Sequence, residues 1–107
     1  MIITTTNSLE GKKVIEYKTV IFAEVVVGVD FIKDFKAGLT NIFGGRSGSY
    51  ENELIQARDH ALRELQEKSK KLGANAILGV NMDYETIGTQ GNNMLVVIAS
   101  GTAVVVE

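Results

Sequence analysis

Met94-Leu95-Val96-Val97-Ile98-Ala99-Ser100-Gly101-Thr102-Ala103-Val104-Val105-Val106 is the longest apolar-looking stretch of the chain. It is too short to cross a bilayer as a helix, which takes about 20 residues. Its richness in Val favours a strand. Read as a strand, it sets Leu95, Val97, Ala99, Ala103 and Val105 on one face. Met94, Val96, Ile98, Val104 and Val106 fall on the other. Both faces are apolar, so both ask for cover. Val20 to Val27 repeats the feature, apart from Glu24. A chain of 107 residues with one long helix cannot easily cover both faces of a sheet. Large exposed apolar patches mark interfaces. The free face is therefore expected to pack against another subunit, in a closed symmetric homo-oligomer. The alternative cover is a second helix of the same chain, over residues 31–43.

The long helix is expected from about Tyr50 to Leu72. Leu54, Ala57, Ala61, Leu65 and Leu72 recur at three- and four-residue steps, and Ile55 and Leu62 widen the stripe. Ser47 or Ser49 suits the N-cap, and Gly73 suits the left-handed position past the C-terminus. Glu51 and Glu53 in the first turn, and Lys68, Lys70 and Lys71 in the last, complement the macrodipole. Asp59/Arg63, Glu64/Lys68 and Glu67/Lys71 are spaced for ion pairs along the helix. The shorter helix, Phe31 to about Phe43, carries Ile32, Phe35, Leu39, Ile42 and Phe43 on one stripe, with Gly38 weakening it.

Strands are expected at Ile2–Thr6, at Lys13 to about Val29 with a bend near Lys18-Thr19, at Ala76–Thr86 and at Met94–Val106. The turn-rich loop Ile87–Asn93 makes the last two an antiparallel hairpin. Leu78 to Glu85 mostly alternates apolar with polar, giving one buried and one wet face. Ser100-Gly101-Thr102 interrupts the last strand and reads as a bulge. There is no repeat, low-complexity tract or linker, and the whole chain, 1–107, reads as one domain.

Composition excludes several functions. There is no Cys, so no disulfide, thiolate metal site or cysteine nucleophile is available. There is one His, too few for an imidazole cage in a single chain. Lys and Arg number 11 against 13 Asp and Glu, a net charge of −2 that argues against nucleic acid as a partner. No basic region followed by an apolar core opens the sequence, so the cytoplasm is expected and no membrane partner.

Four features have residue types that suit chemistry. Gly44, Gly45, Arg46, Ser47 and Gly48 precede the long helix. Convergent N–H groups and a fixed positive charge there can hold a phosphate or carboxylate. The run lacks the Gly-Lys-Ser/Thr of a P-loop, and a tight helix–helix turn with a paired Arg46 is the preferred account. Asn81, Asp83 and Glu85 share a strand face, and their oxygens suit a hard cation, with Asp83 and Glu85 the candidate metal ligands. A solvated sheet face explains them as well. Glu24 interrupts an apolar strand and is expected to be a buried carboxylate, paired with a base or lining a pocket. His60 lies nearly opposite the apolar stripe and is expected on the solvent side. No nucleophile stands with a base, so no catalytic residue is assigned and no motif names a cofactor.

Thr4-Thr5-Thr6 with Glu10-Gly11, Gly44-Gly45-Arg46-Ser47-Gly48 with Tyr50-Glu51, Leu72-Gly73-Ala74-Asn75-Ala76-Ile77 with Gly79-Val80 and Asp83-Tyr84, and Ser100-Gly101-Thr102-Ala103-Val104 form a set. Over nearly the whole chain it resembles the YbjQ-like family of small bacterial and archaeal proteins. The resemblance implies an α+β fold in two layers, an antiparallel sheet backed by helix, related to the dodecin subunit. It also implies a ring-like homo-oligomer, a pentamer. The family is described as heavy-metal-binding, with no established activity. With no Cys and a solvent-side His60, this sequence transfers no metal residue from that description. A flavin-type ligand, suggested by the dodecin likeness, finds no Trp and three scattered Tyr for stacking. The expected function is a non-enzymatic homo-oligomer holding a metal ion or small anion at subunit interfaces. A structural or interaction module without a small ligand is the alternative, and an enzyme using Glu24 or Asp83 ranks last.

Overall fold

The structure, a computed structural model, describes residues 1–27, 48–89 and 92–107. They form β1 (Ile2–Ile3), β2 (Val14–Val27), α1 (Gly48–Lys71), β3 (Ala76–Thr89) and β4 (Asn92–Val106). The strands make one sheet in the order β1-β3-β4-β2. α1 lies on one face, chiefly over β2 and β4. The α+β class therefore holds, with one helix among the described residues. The expected helix over 31–43 lies outside them.

The sheet is mixed, which corrects the all-antiparallel expectation. β3 and β4 form the expected antiparallel hairpin, and β2 is antiparallel to β4. β1, however, runs parallel to β3, through Ile2 opposite Ala76 and Ile3 opposite Ile77. A tight loop dictates antiparallel pairing, but no such loop joins β1 to β3. β1 also stops short of the expected Thr6. The Thr4 hydroxyl accepts from the Thr6 N–H at 3.1 Å, and the Thr6 hydroxyl donates to the Ser8 carbonyl at 2.7 Å. Such local bonds compete with a strand ladder.

β2 carries its irregularity between Tyr17 and Thr19, where the bend was expected, and a second between Val14 and Glu16. The bulge expected at Ser100-Gly101-Thr102 is instead in β3, where the register slips between Leu78 and Asn81. β4 runs straight past it. Gly101 serves close approach: a Cβ there would come within 2.7 Å of the Ile77 Cγ2.

On α1, Ala57, Ala61, Leu65 and Ser69 recur every fourth residue and are buried. Leu72, expected to prolong the stripe, is exposed. The chain has already left the helix there. The Gly73 N–H donates to the Lys70 carbonyl and the Ala74 N–H to the Ser69 carbonyl, both at 3.0 Å. Gly73 has φ 82°. This pair of bonds around a left-handed glycine closes a helix and turns the chain away from it. The three expected ion pairs along the helix are not formed among the described residues. Glu64 pairs with His60 at 3.1 Å, and Lys68 donates to the Phe22 carbonyl of β2.

The C-terminal part of β4 is buried on both faces, as its apolar pattern requires. Val97, Ala99 and Ala103 pack with Ile21, Ala23, Ile77 and Leu65 beneath α1. On the opposite face Val104 and Val106 join Ala76 and Leu78, with Leu9 and Val14 against them. The segment following β1 thus supplies cover that the sequence reading assigned to another subunit. It is tied down by the Thr4 N–H to the Ile77 carbonyl at 3.0 Å and the Gly79 N–H to the Thr6 carbonyl at 2.9 Å. The cover ends there. β3 spans about 46 Å at 3.3 Å per residue over its 14 residues. The sheet thus has a sealed proximal half and a distal half whose second face is open along β2 and β3, with Val96 of β4 8% exposed between them.

Candidate functional site

The distal open face is set by alternation along three strands. Ile21, Ala23 and Val27 of β2 point under α1 and are buried. Val20, Phe22 and Val26 point the other way and are 56%, 52% and 58% exposed. Glu24 has the same parity and is exposed too. This corrects its reading as a buried carboxylate. The apolar run around it could not tell which residues the helix would cover, and Glu24 fell on the uncovered side. The register sets Phe22, Ser100 and Asn81 in one row across the sheet, Glu24, Ile98 and Asp83 in the next, and Val26, Val96 and Glu85 in the third. The face is therefore apolar over β2 and β4 and acidic at its margins.

The metal candidates Asp83 and Glu85 are exposed on β3. Asn81 Nδ2 donates to Asp83 Oδ2 at 3.2 Å. Glu24 stands two strands away from Asp83, about 10 Å at the usual strand spacing. Among the described residues no three His, Cys, Asp or Glu side chains come together as a metal would need. His60 is exposed on α1, with Glu64 as its partner. Heavy metals favour thiolate and imidazole. The described residues of one chain offer neither as a set, so they do not fit a heavy metal. What they offer is oxygen, spread along a face.

Of the anion-site candidates, Gly44, Gly45, Arg46 and Ser47 lie outside the described residues. Gly48 is the first residue of α1. Ser49 lies within the helix range, past its first residue; Ser47 lies outside the described residues. No helix among the described residues is long and apolar enough to cross a membrane.

Backbone polarity defines the edges of this face. The Val104 carbonyl accepts from the Asn75 N–H at 3.0 Å, so even-numbered residues of β4 turn their backbone groups toward β3. Odd-numbered Val97, Ala99 and Gly101 then face Val25, Ala23 and Ile21 of β2. Val20, Phe22, Glu24 and Val26 are left with N–H and C=O at the outer edge of β2. The capture of the Phe22 carbonyl by Lys68 agrees with this phase. By the same alternation Met82, Tyr84 and Thr86 turn theirs to the outer edge of β3. β1 and the Thr4–Thr6 segment occupy that edge only as far as Val80, whose N–H donates to the Thr4 carbonyl at 3.0 Å. Beyond these points neither edge has a backbone partner among the described residues. Strand order alone could have revealed this, and strand order is not written in a hydrophobic pattern.

Comparison with other proteins bears on the whole chain. The model of a family described as "Putative heavy-metal-binding" matches residues 1–107. A UPF0145 protein of Acetivibrio thermocellus is 66% identical over 107 residues, covering 100% of both chains. UPF0145 proteins of Clostridium kluyveri and Pasteurella multocida are 64% and 58% identical, each over 100% of both chains. A solved structure from Pediococcus pentosaceus, a protein of unknown function in the DUF74 family, superimposes with a TM-score of 0.68. It is 23% identical and covers 100% of this chain and 98% of its own, a likeness of fold.

Proposed function

The chain belongs to the YbjQ-like family, and from that premise we propose that it works as a non-enzymatic homo-oligomer that holds a small ion where its subunits meet. The observation that carries the reading is the distal open face. Val20, Phe22 and Val26 leave more than half their surface in water on one side of an otherwise packed sheet. Side chains of this kind favour burial by about 25 cal/mol per Å² of apolar surface. A second copy is the cover this reading assigns. A ring of five, in the cytoplasm, is the form this reading takes.

The ion class follows from the donors. Asn81, Asp83 and Glu85 offer oxygen, which suits a hard cation rather than a heavy metal. One chain brings too few of them together, so the cation is shared between chains. The anion alternative rests on Arg46 and its glycines. Support for a non-enzymatic role is that His60 pairs with Glu64 on the helix surface, away from the carboxylates of the sheet.

Native mass spectrometry of protein purified without chelator, with a thermal-shift panel of divalent cations and inorganic anions, tests the proposal. A multimer that retains an ion, or whose melting rises with one, supports it. A multimer that no ion binds or shifts leaves the purely structural module as the function. A single chain at all concentrations removes both.

A further inference from the structure

The single imidazole of the chain sits beside a carboxylate. His60 and Glu64 stand one turn apart on α1, a spacing that sets them on the same side of a helix. His60 Nε2 lies 3.1 Å from Glu64 Oε1, and the two side chains are 53% and 36% exposed. Lys68, one turn past Glu64 and spaced to pair with it, gives its ammonium to the Phe22 carbonyl of β2 instead. Asp59, next to His60 in the chain, faces Arg58 at 3.9 Å. Glu64 is therefore left to His60. An exposed pair of this kind adds little to stability, and the proposed function makes no use of it.

We infer that His60 and Glu64 form an open, two-ligand site for a borderline divalent cation such as Zn²⁺ or Ni²⁺. The span of the pair fits. Zinc holds an imidazole nitrogen and a carboxylate oxygen each at about 2.0–2.2 Å. Two such ligands stand about 3 Å apart when they meet the ion at a right angle, and about 3.4 Å apart at the tetrahedral angle. The observed 3.1 Å lies between these limits. An ionised carboxylate only accepts hydrogen bonds, so in the ion-free pair Nε2 donates to Glu64. The ion takes the axis of that N–H, and the Glu64 carboxylate swings aside to become its second ligand. A neutral ring then carries its proton on Nδ1, with none gained or lost, and a protonated ring gives one proton to water.

Donor chemistry sets the choice of ion. Imidazole suits Zn²⁺ and Ni²⁺, whereas Mg²⁺ and Ca²⁺ take sets of oxygens. Soft ions favour thiolate, and the chain has no Cys. Among the described residues no third His, Asp or Glu side chain joins the pair. Glu67, exposed and three positions past Glu64, adds negative field rather than a ligand. The remaining coordination positions fall to water, so the ion exchanges freely, unlike one in a closed four-ligand site. This site differs from the oxygen donors of the sheet in place, in ion class and in origin. Both ligands come from one helix, so it needs no second chain and stands or falls apart from the self-association reading.

Having one His makes the test direct. Untagged protein, in a buffer that does not coordinate metals, is titrated with Zn²⁺ while the ring C–H signals of His60 are followed by nuclear magnetic resonance. The signals are expected to move and to saturate at one ion per chain, with Mg²⁺ leaving them in place. Ring signals that Zn²⁺ does not move overturn the site. Isothermal titration with Zn²⁺ and with Ni²⁺ then compares variants whose fold is checked by circular dichroism. His60→Ala is expected to abolish binding. Loss of a partner that only supports a ligand costs 10–100-fold in metal affinity, so Glu64→Gln, which weakens a ligand itself, is expected to cost at least about tenfold. Glu67→Gln is expected to cost less than about twofold. Binding that survives His60→Ala places the ion elsewhere and overturns the proposal. Glu64→Gln protein that binds as tightly as the unchanged chain reduces the site to a lone imidazole and overturns it too. A thermal shift with Mg²⁺ or Ca²⁺ that persists in His60→Ala separates this site from the ion of the proposed function.

Discussion

The proximal and distal halves of the sheet are made of the same strands and differ in what covers them. In the proximal half Ala76, Leu78, Val104 and Val106 are buried on one face by Leu9 and Val14, while Leu65 and Ala61 cover the other face. In the distal half β2 turns Val20, Phe22 and Val26 into water. Backbone groups follow the same division. Proximal edges are tied by Thr4, Thr6 and Asn75, whereas distal edges have no backbone partner among the described residues. The composition of β4 scarcely changes along its length, so apolar content does not separate the halves; the reach of the Thr4–Lys13 segment does. The contrast sets a core buried on both faces in the proximal half against exposed apolar side chains in the distal half.

Substitutions can break or sharpen that contrast. The largest expected effect is in the sealed half. Leu65, fully buried against the sheet, should cost about 3 kcal/mol as Leu65→Ala, from lost transfer energy and the cavity left behind. Urea unfolding at fixed protein concentration measures it, and a loss near zero would show that the proximal half is not the stable one. Asn75 comes next. Its Oδ1 accepts from the Val106 N–H at 2.8 Å and its Nδ2 donates to the Val106 carbonyl at 2.9 Å. Asn75→Ala removes both bonds and should cost about 1.5 kcal/mol in the same experiment. Ser69 gives an effect of opposite sign. Its hydroxyl is buried without a hydrogen-bond partner, so Ser69→Ala should stabilise by about 1 kcal/mol. The smallest effect on the chain's own stability is expected at Phe22. Phe22→Ser should change the stability of a dissociated chain by less than about 0.5 kcal/mol. It should nevertheless abolish any rise of melting temperature with protein concentration, the signature of an associating state.

Much of the architecture could be read from the residues. The apolar period of α1, the glycine that ends it and the β3–β4 hairpin are local signals, and local signals survive into the structure. The direction of β1 was not readable, because nothing between Ile3 and Ala76 constrains it as a tight turn would. Glu24 was misread for a related reason. Alternation says which residues share a face, but not which face receives the helix, and the two assignments are mirror images along the chain. The same alternation, once oriented, places Glu24 on the face of Asp83 and Glu85. The candidate anion run, Gly44–Ser47, lies outside the described residues, and Gly48 simply opens α1. The edges without a backbone partner among the described residues had no sequence signal at all, since they depend on strand order.

Amide hydrogen exchange on the unmodified protein tests the division of labour most directly. The backbone N–H groups of Glu24, Val26 and Thr86 point away from the sheet of their own chain, while that of Val25 points into it. If copies meet at the distal half, the three outward amides exchange more slowly at concentrations where the protein is assembled than in single chains. They become fast on dilution to single chains, while Val25 stays protected. Outward amides that exchange at the rates of free chain in the assembled protein would contradict the account.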